Sequence, residues 1–293
     1  MSYRIFTDTS ANLPTDLTEA KGITVVPFSY CLNGEEFMCT DTRSFDGADF
    51  YGAIRKHASV STSQINPFRY EEYMEPVLQA GSDILYIGMS SGISGSFASS
   101  SIAIEQLRAK YPERDIRAVD TLSASLAEGI VVLKAVEYVN AGMDIDEIER
   151  KLNELSYSMC QIFMVDDLMH LRRTGRLSNA VALAGSVLQI KPLLIGDEQG
   201  KIVCIKKERG RRRAIEGLAK VYEKYVENAG ENIVGIAHAD CAEDAEHLAA
   251  RLREIAPPKD IIIECYEPVT GAHVGPDTLA LFFVGKPGFR SDR

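Results

Sequence analysis

The sequence predicts an α/β fold of two domains, with mainly parallel sheets covered by helices. Short apolar runs alternate along the chain with longer segments of helical periodicity, which is typical of strand–helix–strand units. The chain has 293 residues, a length that favours two domains of ordinary size. Its 45% hydrophobic and 25% charged residues are typical of a globular protein and argue against a disordered chain.

The spacing of apolar residues predicts the elements in order. We expect strands at residues 3–7, 23–29, 84–89, 116–119, 162–165, 202–205, 233–237, 261–265 and 278–284. We expect helices at residues 97–111, 124–140, 144–155, 214–226 and 242–255. Two turns, at 33–34 and 197–200, predict hairpins that join 28–32 to 35–38 and 193–195 to 202–205. Two successive helices before a new strand place the domain boundary after residue 157, which gives domains 1–157 and 158–293.

Composition narrows the class of function. The net charge of −10 argues against broad binding to nucleic acid, which requires many Lys and Arg. Six cysteines without C-x-x-C spacing predict reduced thiols, and we expect no metal and no other cofactor. No segment approaches the ~18 apolar residues of a membrane span, and the N-terminus lacks an apolar leader. We therefore expect a cytoplasmic protein with at most transient membrane contact.

The densest polar cluster in an apolar setting is the loop of residues 89–96. It contains Ser90, Ser91, Ser94 and Gly95, and it lies between a predicted strand and a predicted helix. Backbone N–H groups, hydroxyls and a positive helix end make such a loop a seat for an anion. The loop has no Lys or Arg, and the chain has no G-x-x-x-x-G-K-[ST] motif, so a nucleotide is disfavoured. A single-charge anion such as a carboxylate fits better, although the serines would also suit a simple helix cap.

Further segments place small polar side chains beside apolar runs. They are residues 8–12, which begin with Asp8, residues 61–64, which contain Thr62, and residues 120–124. His273 lies between two glycines, just before the last predicted strand. In an α/β fold such segments lie at strand ends, where ligands bind.

A serine esterase is the alternative function from a different class. Residues 88–92 fit the G-x-S-x-G nucleophile elbow with Ser90 as nucleophile, and His273 comes late in the chain as a catalytic base would. An elbow leads directly into a helix, however, whereas residues 93–95 intervene here and include a glycine. An interaction protein whose cleft holds another small acid is a third hypothesis.

Six motifs, taken together and in order, resemble the DegV family: residues 8–13, 62–64, 90–96, 168–178, 190–192 and 271–275. The resemblance extends from residue 5 to residue 286. It implies two α/β domains with a fatty acid buried between or within them. It also implies a non-catalytic role, because the better-understood members are the binding subunit of a bacterial fatty-acid kinase. The catalytic subunit of that kinase uses ATP to convert the bound acid into an acyl phosphate for phospholipid metabolism.

The resemblance also implies roles for individual residues. Thr62 and Ser94 resemble the hydroxyls that hold the carboxylate, and His273 resembles the histidine that completes their network. The matching motifs add three further candidate ligand contacts, which are Ser91, Gly95 and Asp8. Arg176 and Arg209 resemble basic residues that engage the kinase. The cluster 206–213 is a solvated helix start, a basic face for an acidic partner or for the phosphorylated head group, or a contact for a phospholipid surface. The chain departs from the family where Ile65-Asn66 precede Pro67, because a proline usually follows Thr-Ser-Gln directly.

Overall fold

The computed structural model describes residues 3–39, 41–177 and 190–291. Its strands are β1 Tyr3–Asp8, β2 Thr24–Val26, β3 Ser29–Leu32, β4 Glu35–Met38, β5 Val60–Ser63, β6 Asp83–Gly88, β7 Ile116–Asp120, β8 Met159–Met164, β9 Ile190–Gly196, β10 Ile202–Arg209, β11 Ile233–His238, β12 Asp260–Cys265 and β13 Leu279–Val284. Its helices are α1 Thr15–Lys21, α2 Gly47–Arg55, α3 Pro67–Gln79, α4 Ser96–Lys110, α5 Leu126–Asn140, α6 Ile145–Ser158, α7 Leu168–Arg173, α8 Arg211–Tyr225, α9 Ala242–Ile255 and α10 Pro268–Val274. Ser178, the last residue of the 168–178 motif, lies outside the described residues.

The first half of the chain builds a parallel sheet and a small antiparallel one. The parallel sheet has the order β2-β1-β6-β7. The second sheet has the order β4-β3-β5, and its β3–β4 hairpin turns at Asn33 and Gly34, both of which have positive φ. Asn66 caps α3 by accepting the Arg69 N–H at 2.9 Å, so Ile65-Asn66 lead directly into that helix.

The second half of the chain builds a six-stranded mixed sheet with the order β10-β9-β8-β13-β11-β12. The α/β class is confirmed, but strand direction in this sheet differs from the mainly parallel arrangement that the sequence predicts. β11 and β12 run parallel, whereas the other neighbouring pairs run antiparallel. The cause is topological, because β9 and β10 form a hairpin and β13 enters between β8 and β11.

Helix α5 lies between the parallel sheet and the mixed sheet. It contacts β1 and β6 on one side and β8, β11 and β13 on the other. Its residues are buried around the whole circumference from Leu126 to Leu133, as expected of a helix that packs on all sides. One hydrophobic cluster therefore contains residues from both halves of the chain. The domain boundary after residue 157 stays a prediction.

Among the described residues, no helix combines the length and the apolar character that crossing a bilayer requires.

Candidate functional site

A cavity of about 260 Å³ lies between the loop that follows β6 and the inner face of the mixed sheet. This volume is close to the lower end of the ~300–1,000 Å³ typical of small-molecule sites. Its apolar lining comes from Phe28, Met89, Ile93, Ala124, Phe163, Leu171, Ile202, Val269, Val274 and Phe282. Its polar lining comes from Thr62, Gln64, Ser94, Gly95, Ser125, Gln161, Arg176, Tyr266, Thr270 and His273. The cavity is therefore a mainly apolar chamber with polar groups at a few places in its wall.

Thr62 and His273 meet in this wall. Thr62 is on edge strand β5, and its Oγ1 lies 2.7 Å from Nε2 of His273 on α10. Burial, and then the positive charges of Arg176 and His170, lower the pKa of His273 to about 4. His273 is therefore neutral at physiological pH and carries one ring proton.

Helix α10 is not predicted from the sequence, which indicates only that His273 lies between two glycines just before the last strand. The helix has only seven residues, and both of its ends are held by other groups. At its start, the Glu267 carboxylate accepts the backbone N–H of Thr270 at 2.7 Å. At its end, the Ala272 carbonyl accepts a hydrogen bond from Nε2 of His170 on α7 at 2.8 Å. The contact with α7 thus helps to fix the position of the His273 side chain.

The loop between β6 and α4 brings Ser94 and Gly95 to the cavity. Ser94 Oγ lies 3.1 Å from Ser96 Oγ, which in turn accepts the Ile65 N–H at 3.1 Å. The loop is thereby joined to the segment that follows β5. A Cβ at Gly95 would lie 2.2 Å from Oε1 of Gln64, so a side chain there would require the Gln64 carboxamide to move.

Two predicted ligand contacts, Asp8 and Ser91, do not line the cavity. Asp8 is fully buried beneath the loop, and its carboxylate accepts from Tyr86 Oη at 2.9 Å and from the Met89 N–H at 3.3 Å. Ser91 is exposed, and its N–H donates to the Asp120 carboxylate at 3.3 Å. Asp8 therefore supports the loop from below, and Ser91 lies on its outer side. A motif match identifies the loop but cannot distinguish these two surfaces.

Ser90 is not placed as a nucleophile. Its side chain is fully buried, and its Oγ donates to the Gly200 carbonyl at 3.0 Å while accepting the Gly92 N–H at 3.1 Å. It does not line the cavity, and the hydrogen-bond partner of the His273 ring is Thr62. An elbow serine must expose its hydroxyl beside a base. Ser90 instead joins the loop to the β9–β10 hairpin, so the geometry does not support the esterase hypothesis.

The structure separates the two arginines that the resemblance assigns to partner contact. Arg176 lines the cavity near His273, and burial lowers the pKa of its guanidinium. This position differs from the expected one on a docking surface away from the ligand. Arg209 lies at the end of β10 in an open cleft formed by Arg209, Gly210, Arg211, Arg212, Arg213, Glu216, His247 and Arg251. The two residues therefore belong to different surfaces.

Sequence reasoning misses several polar residues of the cavity wall. Gln64 belongs to the 62–64 motif, but the motif assigns it no role. Gln161 is a polar residue in the otherwise apolar strand β8, and its Oε1 accepts the Ala124 N–H at 3.0 Å. That interruption of an apolar run is a detectable signal. Ser125 and Thr270 give no comparable signal, because isolated hydroxyl residues near helix starts are common caps.

Comparisons with known proteins agree with this architecture. The DegV family model, described as an uncharacterised protein family, matches residues 2–286. A DegV domain-containing protein of Clostridium perfringens is 39% identical over 283 residues, which cover 97% of each chain.

Two solved structures are similar over their whole length. DegV, a fatty acid binding protein from Bacillus subtilis, is 29% identical with a TM-score of 0.83, and the match covers 98% of this chain and 100% of that one. A fatty-acid-binding DegV family protein from Thermus thermophilus is 25% identical with a TM-score of 0.86. The match covers 96% of this chain and 99% of that one. Since the family model and these relatives span nearly the whole chain, the protein belongs to the DegV family.

Proposed function

We propose that this protein binds one long-chain fatty acid and presents its carboxylate to a separate ATP-dependent kinase, which forms an acyl phosphate for phospholipid metabolism. The observation that carries the proposal is the cavity, where Thr62, Ser94, His273 and Arg176 line the wall of a mainly apolar chamber. Similar proteins from B. subtilis and T. thermophilus bind fatty acids, which supports the same ligand here.

The polar groups suit a carboxylate. A buried carboxylate requires hydrogen-bond donors, and a charged donor nearby strengthens its binding. Thr62 has one hydroxyl proton, so it can donate to the ligand only if its oxygen accepts from Nε2–H of His273. The neutral ring then has an unprotonated Nδ1, which agrees with its buried position, where none of the described residues forms a hydrogen bond with it. Arg176 supplies positive charge near this pair.

The apolar lining suits an acyl chain. Burial of about 0.8 kcal/mol per CH₂ gives a 16-carbon acid on the order of 10 kcal/mol of gross stabilisation. The loss of translational and conformational freedom removes part of this gain. The head-group contacts then select a free acid, while the apolar chamber provides most of the affinity.

Lipid extraction tests the ligand. Protein purified under native conditions is denatured and extracted, and mass spectrometry is expected to find a C14–C18 fatty acid near one equivalent. Thr62→Val should weaken binding of added fatty acid by about 10- to 150-fold, because a hydrogen bond to a charged group contributes roughly 1.5–3 kcal/mol.

Thr18→Val is the matched control. Thr18 is also a buried threonine, but its hydroxyl donates to the Thr15 carbonyl within α1, away from the cavity. The affinity of this variant for fatty acid should equal that of the wild type. Absence of lipid after extraction, together with no binding of added acid, would refute the proposed function.

The kinase step is tested through Arg209. The cleft that contains Arg209 is rich in arginine, although the protein as a whole has a net charge of −10. Such a locally basic surface favours an acidic partner. Arg209→Ala should retain fatty acid and thermal stability, yet lower acyl-phosphate formation by a cognate kinase, more strongly at low salt. Arg176→Ala should lower both binding and phosphorylation, because Arg176 lines the cavity.

Arg150→Ala provides the control for Arg209. Arg150 is an exposed arginine of α6 that pairs with Glu154, and it lies outside the cleft. Its loss should leave phosphorylation unchanged. Equal rates for the Arg209 and Arg150 variants would show that the cleft does not engage the kinase.

A further inference from the structure

Two hydroxyls in the cavity wall make no well-formed hydrogen bond with any residue that the structure describes. Thr270 is 8% exposed and Ser125 is 1% exposed, and both residues line the cavity. Thr270 interacts with the Glu267 side chain and Ser125 with the Tyr266 hydroxyl, but both contacts fall outside the distance and angle of a well-formed hydrogen bond. Buried hydroxyls are normally paired, so two orphans in one apolar cavity require an explanation.

The usual local partners of these hydroxyls are not used. A helical threonine commonly donates to the carbonyl four residues earlier, which here belongs to Tyr266. That carbonyl accepts instead from Tyr51 Oη at 2.8 Å. Ser125 occupies the N-cap position of α5, where serine normally accepts a backbone N–H, but its side chain makes no such bond.

The strained backbone at Ser125 supports a functional role for its hydroxyl in the cavity wall. Its φ is +55°, a conformation that costs energy for a residue with a side chain. Glycine would adopt this conformation without strain and would also leave no orphaned hydroxyl. On α10, Thr270 precedes His273 by three residues, so the two side chains share one face about 4.5 Å apart along the axis.

We propose that Thr270 and Ser125 form a second polar subsite, which selects a long-chain fatty acid bearing a hydroxyl or keto oxygen on its acyl chain. This inference rests on the proposed function, since it names the class of acid that the same cavity prefers. A plain acyl chain would seal both hydroxyls away from water without a partner, which disfavours its binding. An oxygen on the chain accepts from the hydroxyls and removes that penalty.

The test compares stearic acid with a positional series of hydroxystearic acids, bound to the delipidated full-length protein. At least one isomer is expected to bind about ten-fold more tightly than stearic acid, the change expected for one satisfied buried hydrogen bond. Thr270→Val keeps the shape but removes the hydroxyl, so it should tighten stearic acid binding several-fold and reduce the preference for the hydroxy acid. Thr270→Ser should restore the preference, which separates loss of the hydroxyl from a change in packing.

The outcomes distinguish this inference from the function on which it rests. Equal affinity for stearic acid and every hydroxystearic acid, in the wild type and in Thr270→Val, would overturn the subsite while leaving fatty-acid binding intact. Failure of all the acids to bind would refute the proposed function and the subsite together. Thr18→Val again serves as the control, and it should keep the wild-type preference.

Discussion

Ser10 connects two buried carboxyl groups. Its Oγ lies 2.5 Å from Asp8 Oδ1 and 2.6 Å from Glu128 Oε2, and all three residues are buried. A hydroxyl has one proton, so it can donate to one carboxyl while the other must bring its own. Burial raises the pKa of both acids, but Asp8 also accepts from Tyr86 and from two backbone N–H groups, which favours its charged form. Glu128 therefore carries the proton, and burial followed by the charge of Asp8 raises its pKa well above the usual value.

Substitution of Asp8 should destabilise the protein more than substitution of Glu128. Glu128→Gln keeps a neutral group that can donate to Ser10, so we expect a free energy of unfolding within about 1 kcal/mol of the wild type. Asp8→Asn turns an amide N–H₂ toward groups that themselves donate, and should destabilise the protein by about 1–3 kcal/mol. Chemical denaturation measures both effects. Equal destabilisation by the two changes would contradict the assignment of the proton to Glu128.

The same proton makes stability depend on pH. Because the pKa of Glu128 is higher in the folded than in the unfolded state, the folded protein binds more protons between those two values. The contribution of Glu128 to the free energy of unfolding is fully present below its unfolded pKa of about 4.3. It falls as pH rises toward the folded pKa, by at most about 1.4 kcal/mol per pH unit. The free energy of unfolding, measured by chemical denaturation, should differ less between pH 5 and pH 8 in Glu128→Gln than in the wild type. The exposed change Glu154→Gln should not alter that difference.

At the scale of elements, apolar periodicity predicts most of the fold. Helix α9 has the predicted bounds, residues 242–255, because its apolar residues follow one helical face and its first turn is acidic. Strand β5 is missed because Val60–Ser63 is mostly hydroxyl residues at the edge of a small sheet. Helix α10 is missed because seven residues with an internal glycine are a weak helix signal. Contacts from Glu267 and His170 stabilise it, and periodicity does not encode such bonds.

The candidate site is predicted unevenly for the same reason. The motifs place Thr62, Ser94, Gly95 and His273 in one site, and the structure brings them to one cavity. Their assignment to a ligand stays a prediction. The direction in which each loop residue points depends on partners elsewhere in the chain, such as Asp120 for Ser91. A linear motif therefore identifies the segment, whereas the tertiary contacts determine which of its side chains face the ligand.

At the scale of the whole molecule, Arg290, near the C-terminus, joins segments that are distant from one another in sequence. It is 4% exposed, and its guanidinium donates to the Leu122 and Ser156 carbonyls at 2.9 Å and to the Asp197 carbonyl at 3.2 Å. It also donates to Ser123 Oγ at 2.9 Å. These acceptors belong to the segment after β7, to α6 and to the β9–β10 turn, so one side chain links both halves of the chain.

Removal of this charge should destabilise the whole protein. Arg290→Met keeps a long unbranched side chain but leaves several buried acceptors unpaired, so we expect a loss of about 2–4 kcal/mol in the free energy of unfolding. Arg253→Met is the matched control, because Arg253 is exposed at the end of α9 and its loss should stay within about 0.5 kcal/mol. Bound fatty acid should restore part of the lost stability, since a ligand that binds only the folded state stabilises it. Denaturation with and without added acid measures both effects, and similar stability of the two variants would mean that Arg290 does not hold the halves together.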